Sequence, residues 1–205
     1  MDQRTDGWHA LRNGRITGTA FSDVMNFTAK GESGAGRKSL ITRLAVERIT
    51  GRPYETYQNA AMRRGIELEP EARTAYECHT GELVDQVAFV VHPKYEFIGV
   101  SPDGLLGSDG MCEIKCPDSP HKHLSALLKG DHAVEYKWQI IGQMWVCERA
   151  WNDAVSYDPR FPEHLRLAIT RVKRDDAAIA ELEAQCLAVE AEVQKTIDQL
   201  QRIAA

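Results

Sequence analysis

The chain has 205 residues, enough for one domain with a substantial core. Its hydrophobic and charged fractions, 43% and 27%, are ordinary for a soluble globular protein, and no apolar run approaches the ~18 residues of a membrane span. The net charge of −5 argues against nucleic-acid binding, but residues 1–64 carry 11 Lys and Arg against 6 Asp and Glu. This basic N-terminal third fits either a phosphate-binding face or ordinary solvated helices.

A short helix and a hydroxyl-rich turn are predicted at the start of the chain. Trp8 to Asn13 should be helical, with Asp6 as its candidate cap and with Trp8 and Leu11 turned inward. Thr17-Gly18-Thr19 offers hydroxyls and amides at the start of a second short helix. Such a turn either binds an anion or caps the helix.

Two longer helices are predicted next. Segment 29–38 is Gly-rich and basic, and it is either a DNA-contacting loop or a plain surface loop. Ser39 to Thr50 has helical apolar spacing and ends before Gly51. Tyr57 to Thr80 fits a long helix, which Pro70 should kink or divide.

Three strands are predicted in the middle of the chain. Leu83 to Val91 is rich in β-branched and aromatic residues, and Phe97 to Val100 and Met111 to Cys116 are two short strands joined by a Gly-rich turn. The three strands suggest an antiparallel meander. The turn would bring Asp103 beside Glu113 on the neighbouring strand.

The last of these strands carries the chemistry. Because side chains alternate along a strand, Glu113 and Lys115 should share a wet face, while Cys112, Ile114 and Cys116 point the other way. Carboxylates and an ammonium are poor strand formers and poor core. Hard cations such as Mg²⁺ take carboxylate and phosphate oxygens, and a nearby lysine can orient a nucleophile. The D-x9-E-x-K spacing therefore predicts a metal-dependent phosphodiesterase site.

The E-x-K element alone has little specificity. A second copy, Glu135-Tyr136-Lys137, falls in a predicted amphipathic helix from Val134 to Glu148, where residues two apart do not share a face. A zinc site is a further alternative, since His121 and His123 follow Cys112 and Cys116. Its C-x3-C-x4-H-x-H spacing is not a recognised structural-zinc pattern.

The C-terminal third completes the predicted core. Trp151 to Tyr157 and Leu165 to Val172 alternate like strands. From Asp175 onward, apolar residues recur at spacings of three and four, which predicts one long helix that buries its seam against its own domain or another subunit. We expect one α/β (α+β) domain over 1–205, with a helical part at 1–80, a five-stranded sheet core at 82–172 and a C-terminal helix at 175–203.

Several motifs in order resemble one known family. P-D-(x9)-E-x-K is similar to the PD-(D/E)xK nuclease signature, and S-P-D-G with E-I-K-C-P resembles its lambda-exonuclease or YqaJ-type viral recombinase branch. W-H-A-L-R-x-G-x-I-T, R-G-x-x-L-E-P-x-A-R and W-Q-I-I-G-Q-M-W-V agree with the same branch. The resemblance runs from Trp8 to about Asp158, and it implies a restriction-endonuclease-like core with a mixed or antiparallel sheet flanked by helices.

The resemblance also implies the roles of the site residues. One or two Mg²⁺ ions, which Mn²⁺ could replace, would be held by Asp103, Glu113, Glu69 and the carbonyl of Ile114. Lys115 would position or activate the attacking water, and Gln139 would orient water or phosphate.

Further residues are implied to bind the DNA end. Arg12 and Thr19 would bind the terminal 5′-phosphate, with Ser101 as a third contact. Met62 occupies the position where the family places an apolar wedge that splays the two strands, although an apolar residue on a helix is usually core.

The implied enzyme is a Mg²⁺-dependent 5′-to-3′ exonuclease that digests one strand of duplex DNA from a 5′-phosphorylated end to mononucleotides, in phage-type single-strand-annealing recombination. The family further implies a ring-shaped homotrimer and a phage single-strand annealing protein as partner. Five cysteines without paired spacing suggest a reducing compartment and a cytoplasmic protein. The resemblance implies that this is the cytoplasm of a bacterial host. One alternative is an endonuclease on the same core. The other is a catalytically silent DNA-binding subunit, and the intact D-x9-E-x-K set argues against this second alternative.

Overall fold

The computed structural model describes residues 3–54 and 59–203, which form eight α-helices and seven strands. The helices are α1 Asp6–Arg12, α2 Phe21–Val24, α3 Ala35–Thr50, α4 Ala60–Thr80, α5 Pro120–Lys129, α6 His132–Glu135, α7 Lys137–Val146 and α8 Asp176–Ile203. The strands are β1 Ile16–Thr17, β2 Val90–Val91, β3 Ile98–Val100, β4 Gly104–Leu106, β5 Gly110–Lys115, β6 Trp151–Tyr157 and β7 Leu167–Lys173.

The strands form two mixed sheets. In the three-stranded sheet, β3 lies between β1, which is parallel to it, and β2, which is antiparallel. The four-stranded sheet has the order β4-β5-β6-β7, in which β5 and β6 are parallel and the outer pairs are antiparallel. Since parallel strands need a crossover connection, the chain between β5 and β6 forms α5, α6 and α7.

The α/β class is confirmed, but the sheet differs from the single five-stranded one expected. β3 does not pair with β5; the short strand β4 does, through Gly104↔Cys112. Pro102 lies between β3 and β4, and a proline cannot donate a ladder hydrogen bond, so the chain leaves one sheet there and enters the other. Only Val90–Val91 of the predicted strand 83–91 is a strand, although Asp85 forms an isolated bridge with Leu105.

The predictions for helices α1 and α4 need correction. Helix α1 starts at Asp6, and its cap is Thr5, whose Oγ1 accepts a hydrogen bond from the Trp8 amide at 3.3 Å. Helix α4 is continuous through Pro70, which is exposed, so water can satisfy the carbonyl that the proline leaves without a donor. The predicted start of α4 at Tyr57 lies outside the described residues.

The predicted helix over 134–148 is two helices. The helix is interrupted at Tyr136, the residue between α6 and α7. The second E-x-K element therefore straddles a break rather than lying within one helix. The predicted helical part at 1–80 also contains one strand, β1, which pairs with β3.

Helix α8 packs within its own chain. Five residues of its predicted seam are buried: Ile179, Leu182, Cys186, Val189 and Val193. They join the main core cluster with residues of α3, and the Arg48 guanidinium donates two hydrogen bonds of 2.7 Å to the Glu190 carboxylate across the same interface. Toward the end of the seam, Leu200 is half-exposed. The seam therefore belongs mainly to the domain rather than to a second subunit.

A buried polar contact holds α4 against the four-stranded sheet. The Tyr76 hydroxyl of α4 donates to Asp153 Oδ2 of β6 at 2.7 Å, and the Arg171 guanidinium of β7 donates to both oxygens of Asp153 at 2.8 Å. Because Asp153 is buried, losing these donors would leave an uncompensated charge. This contact fixes α4 beside β5.

No helix within the described residues combines the length and apolar character needed to cross a membrane.

The close approach of α7 to α2 generates a stability prediction. A Cβ at Gly142 would overlap the ring of Phe21, whereas a Cβ at Gly65 in α4 would have no heavy atom within 4 Å. Gly142→Ala should therefore lower the free energy of unfolding by about 1–3 kcal/mol through overpacking. The matched control Gly65→Ala should raise it by about 0.5–1 kcal/mol. Urea unfolding measures both, and equal stability of the two variants would contradict the packing described.

Candidate active site

The centre of the site is a buried carboxylate on β5. Glu113 is only 3% exposed, and Lys115, two residues further along the strand, places its Nζ 2.5 Å from Glu113 Oε1. The predicted sharing of one face is therefore confirmed. The face is not wet as expected, because α7 covers it.

The other face of β5 is apolar, as predicted. Cys112, Ile114 and Cys116 belong to a second core cluster, which also contains Ala72 and Tyr76 of α4. The four-stranded sheet therefore packs α4 against one face and presents Glu113 on the other.

Asp103 lies in the turn between β3 and β4. Its Oδ2 accepts a hydrogen bond from the Ile114 amide at 2.7 Å, which places it beside β5 at the level of Glu113. Burial raises the pKa of Asp103 well above its usual value, and the negative charges of Glu113 and Glu69 raise it further, while Lys115 opposes them. The structure thus brings Asp103 and Glu113 together as the spacing predicted.

Two glutamines of α7 hold Glu113 in place. Gln139 Nε2 donates to Glu113 Oε1, and Gln143 Nε2 donates to Glu113 Oε2, both at 2.5 Å. Gln139 was expected near the site, whereas Gln143 was missed. Its signal was present in the sequence, because two glutamines four residues apart share one face of an otherwise apolar helix.

Lys115 carries the positive charge of the cluster. Burial acts to lower the pKa of Lys115, but the carboxylates of Glu113 and Asp103 together outweigh burial, and the pKa is raised. The ammonium also lies over the ring of Tyr136, 4.7 Å from its centroid. Without a divalent ion, Lys115 therefore stays protonated and neutralises part of the carboxylate charge.

Glu69 of α4 is near this cluster but has other partners. Its two oxygens accept hydrogen bonds from Arg4 at 2.5 Å and from Arg73 at 2.6 Å. Within residues 3–54 and 59–203, no three His, Cys, Asp or Glu side chains gather closely enough to hold a metal ion. The predicted set of three carboxylates is therefore not assembled as a ligand set in this structure.

The donor set at Asp103 and Glu113 nevertheless suits a hard cation. It consists of oxygen atoms, and the raised pKa of Asp103 shows that its charge is disfavoured by burial and by the neighbouring carboxylates. A divalent cation between the two would compensate this repulsion.

Met62 and Lys115 line the same cleft. The cleft, of about 440 Å³, is bounded on the α4 side by Met62, Gly65 and Glu69, and on the other side by Lys115 and Tyr136. Met62 is 46% exposed, so it is not part of the core. Its apolar side chain is therefore free to contact a bound molecule.

Two of the three predicted phosphate contacts, Arg12 and Ser101, are hydrogen-bonded to each other. Ser101 Oγ accepts hydrogen bonds from Arg12 Nη1 at 3.2 Å and from Trp8 Nε1 at 2.9 Å, and the Arg12 guanidinium lies 4.3 Å from the Trp8 ring centroid. Burial, and next Arg43, lower the pKa of Arg12 to about 10, against the opposing effect of Glu47. An anion here would compensate the buried cation.

Thr19, the third predicted phosphate contact, forms no described hydrogen bond with Arg12 or Ser101. It is on the 3₁₀ turn Gly18–Ala20, and its side chain is exposed. The parallel register Thr17↔Gly99 puts this turn level with Ser101.

A family model described as a YqaJ-like viral recombinase domain matches residues 7–150. The chain is 40% identical to an alkaline exonuclease from Laribacter hongkongensis, over 98% of both chains and with a TM-score of 0.88. For a complex of that enzyme with dAMP, the identity is 40% and the TM-score 0.89, again over 98% of both chains.

A more distant structure shows the fold alone. A phage-related exonuclease from Haemophilus somnus 129PT is 15% identical, over 91% of this chain and 96% of its own, with a TM-score of 0.75. No curated protein matches the sequence.

The raised pKa of Asp103 generates a prediction on stability and pH. At pH values between the pKa of Asp103 in the unfolded state and its higher pKa in the folded state, the folded state binds more protons. The contribution of Asp103 to stability therefore improves as the pH falls through that range. In EDTA at pH 7, Asp103→Asn should therefore be more stable than the wild type, and its advantage should shrink at pH 5.

Urea unfolding at the two pH values measures this difference, with Asp109→Asn as the control because Asp109 is exposed. A variant of Asp103 that is less stable than the wild type at pH 7 would contradict the described repulsion.

Proposed function

The chain belongs to the YqaJ-like viral recombinase family, and we propose that it is a Mg²⁺-dependent exonuclease that digests one strand of duplex DNA in the 5′-to-3′ direction from a 5′-phosphorylated end, releasing mononucleotides. The observation that carries this proposal is the Asp103, Glu113 and Lys115 cluster, in which Asp103 lies two residues from Ser101, the hydrogen-bond partner of Arg12. The 40% identity to an alkaline exonuclease over nearly the whole chain supports the same activity.

Asp103, Glu113 and the Ile114 carbonyl would hold the metal ion, with Glu69 joining them once its side chain turns from its arginine partners. When bound, Mg²⁺ supplies Lewis-acid activation of water and screening of the phosphate charge; Mn²⁺ should substitute because it accepts the same oxygen ligands.

Lys115 and Gln139 act on the reacting groups in this proposal. The Lys115 ammonium is held at one wall of the cleft, where it can donate to the attacking water or to a phosphate oxygen and offset the negative charge that develops in the transition state. Gln139 donates to Glu113 Oε1, and it can orient water or phosphate beside that oxygen.

The short separation of Ser101 and Asp103 favours an enzyme that starts at a DNA end. Ser101 and Asp103 are two residues apart, so their Cα atoms are separated by at most about 7 Å. A strand held by its terminal phosphate at Arg12 and Ser101, with Thr19 as an additional hydroxyl, would place an early phosphodiester near Asp103. An endonuclease has no need of such a terminal pocket.

The remaining parts of the proposal concern the duplex and the assembly. Met62 is exposed in the cleft, and in this proposal it would insert between the two strands and separate them. We extend the proposal to a ring-shaped homotrimer, to a phage single-strand annealing protein as recombination partner and to the host cytoplasm. Family membership supports these three points.

The proposed polarity is tested with a linear duplex whose strands carry different 3′-end labels and in which one 5′ end is phosphorylated. With Mg²⁺, the wild type should remove the phosphorylated strand as mononucleotides and leave a closed circle intact. Lys115→Ala should reduce the rate by about 10²–10³-fold, because it removes a charge that stabilises the transition state. Lys122→Ala is the matched control, since Lys122 borders the same cleft but is paired with Glu135 and exposed.

Each other outcome selects a different function. Cutting of the closed circle would make the enzyme an endonuclease. Binding of DNA in EDTA with no cutting in Mg²⁺ or Mn²⁺ would make the chain a silent DNA-binding subunit. Loss of the unphosphorylated strand would reverse the proposed polarity.

Arg12 generates a prediction on end preference. Arg12→Ala should lower the ratio of rates on 5′-phosphorylated and 5′-hydroxyl ends by about 10–100-fold, the equivalent of one or two charge-assisted hydrogen bonds. Single-turnover rates on the two substrates give the ratio. Arg15→Ala serves as the control, because Arg15 donates to the Glu96 carbonyl on the surface. An unchanged ratio in Arg12→Ala would place the phosphate pocket elsewhere.

A further inference from the structure

Glu113 does not receive the same number of hydrogen bonds on its two oxygens. Oε1 accepts from both Gln139 Nε2 and Lys115 Nζ, whereas Oε2 accepts from Gln143 Nε2 alone. A carboxylate oxygen offers about two acceptor positions. The acceptor position left open for a cation is therefore on Oε2, the oxygen that Gln143 holds.

The orientation of Gln143 is set by a second buried amide. Since an ionised carboxylate only accepts hydrogen bonds, Gln143 must turn its NH₂ group toward Glu113 and its carbonyl oxygen away. That oxygen accepts a hydrogen bond from Asn152 Nδ2 at 3.1 Å. Asn152 lies on β6, and both amide side chains are fully buried. The two amides therefore form a series of hydrogen bonds in which Asn152 donates to Gln143 and Gln143 donates to Glu113.

This series ends in an unsatisfied atom. The NH₂ group of Asn152 donates to Gln143. Its Oδ1 is buried and has no hydrogen-bond partner within the described part of the chain. An unpaired buried carbonyl oxygen lowers the free energy of unfolding. The neighbouring core residues Ile140, Met144 and Ala154 are apolar. If Gln143 and Asn152 served packing alone, apolar side chains would therefore suit these two positions better.

We propose that Gln143, oriented by Asn152, is a positioning residue that aims Glu113 Oε2 at the divalent metal ion and so sets the metal affinity of the site. This inference rests on the metal-dependent function proposed above. Gln143 acts through Glu113 and touches neither the water nor the phosphate. Asn152 acts one step further away, by fixing which end of the Gln143 amide faces Glu113.

The test uses Gln143→Met, Asn152→Leu and the double variant in the full chain. Met matches the length of the Gln side chain, and Leu matches the branching of the Asn side chain. The double variant removes the unpaired Asn152 oxygen but also the donor to Glu113 Oε2, so its unfolding free energy in EDTA should fall below that of the wild type while the chain stays folded. Its dissociation constant for Mn²⁺ without DNA, measured by electron paramagnetic resonance, should rise about 10–100-fold. DNA affinity in EDTA should not change.

Two comparisons separate positioning from a structural effect. Gln185→Met is the matched control, because the Gln185 side chain accepts a hydrogen bond from Arg37 and has no described contact with Glu113. This substitution should leave the Mn²⁺ affinity unchanged. Asn152→Leu should weaken Mn²⁺ binding in the wild type but should add nothing to Gln143→Met, because Asn152 acts through Gln143. The cleavage rate lost in the double variant should be partly restored by raising the Mn²⁺ concentration.

The outcomes distinguish this inference from the proposed function. Wild-type Mn²⁺ affinity in a folded double variant would overturn the role of Gln143 while leaving the nuclease proposal intact. Additive effects of the two single substitutions would overturn the series through Asn152. A wild-type protein that neither binds Mn²⁺ nor cuts DNA would overturn the proposed function and this inference with it.

Discussion

The burial of one carboxylate, Glu113, governs the arrangement of the surrounding elements. A buried charge without partners is strongly destabilising, so each oxygen of Glu113 needs a donor. The strand itself supplies one, Lys115, and the other two come from α7. Because β5 and β6 are parallel, the connection between them must cross over the sheet, and this crossover is what brings α7 above Glu113.

The turn from Ser101 to Asp103 links the two parts of the site. Its first residue receives hydrogen bonds from α1, and its last accepts one from the Ile114 amide of β5. Pro102 between them separates the two sheets. The proposed phosphate contact Ser101 and the carboxylate of Asp103 are therefore held at a short separation, which would suit the removal of nucleotides from an end.

Contacts far from the chemistry hold the walls of the cleft in place. Helix α4 carries Glu69 and Met62. It is held against the four-stranded sheet by the hydrogen bonds among Tyr76, Asp153 and Arg171. On the other side of the molecule, α8 packs on α3 and covers the main core. The site itself is less well satisfied than these contacts, since burial and the neighbouring carboxylates raise the pKa of Asp103 and disfavour its charge, and Asn152 leaves one oxygen unpaired. Such strain is typical of functional sites.

The sequence by itself determined the features that depend on local periodicity. Strand alternation put Glu113 and Lys115 on one face, the D-x9-E-x-K spacing placed Asp103 beside them, and the apolar repeat predicted α8 and its seam. Only the tertiary structure decided that Pro102 divides the sheet, that α4 continues through Pro70, that Glu69 pairs with arginines and that Gln143 reaches Glu113. These features depend on which surfaces meet after the chain folds, because contacts between distant segments leave no period in the sequence.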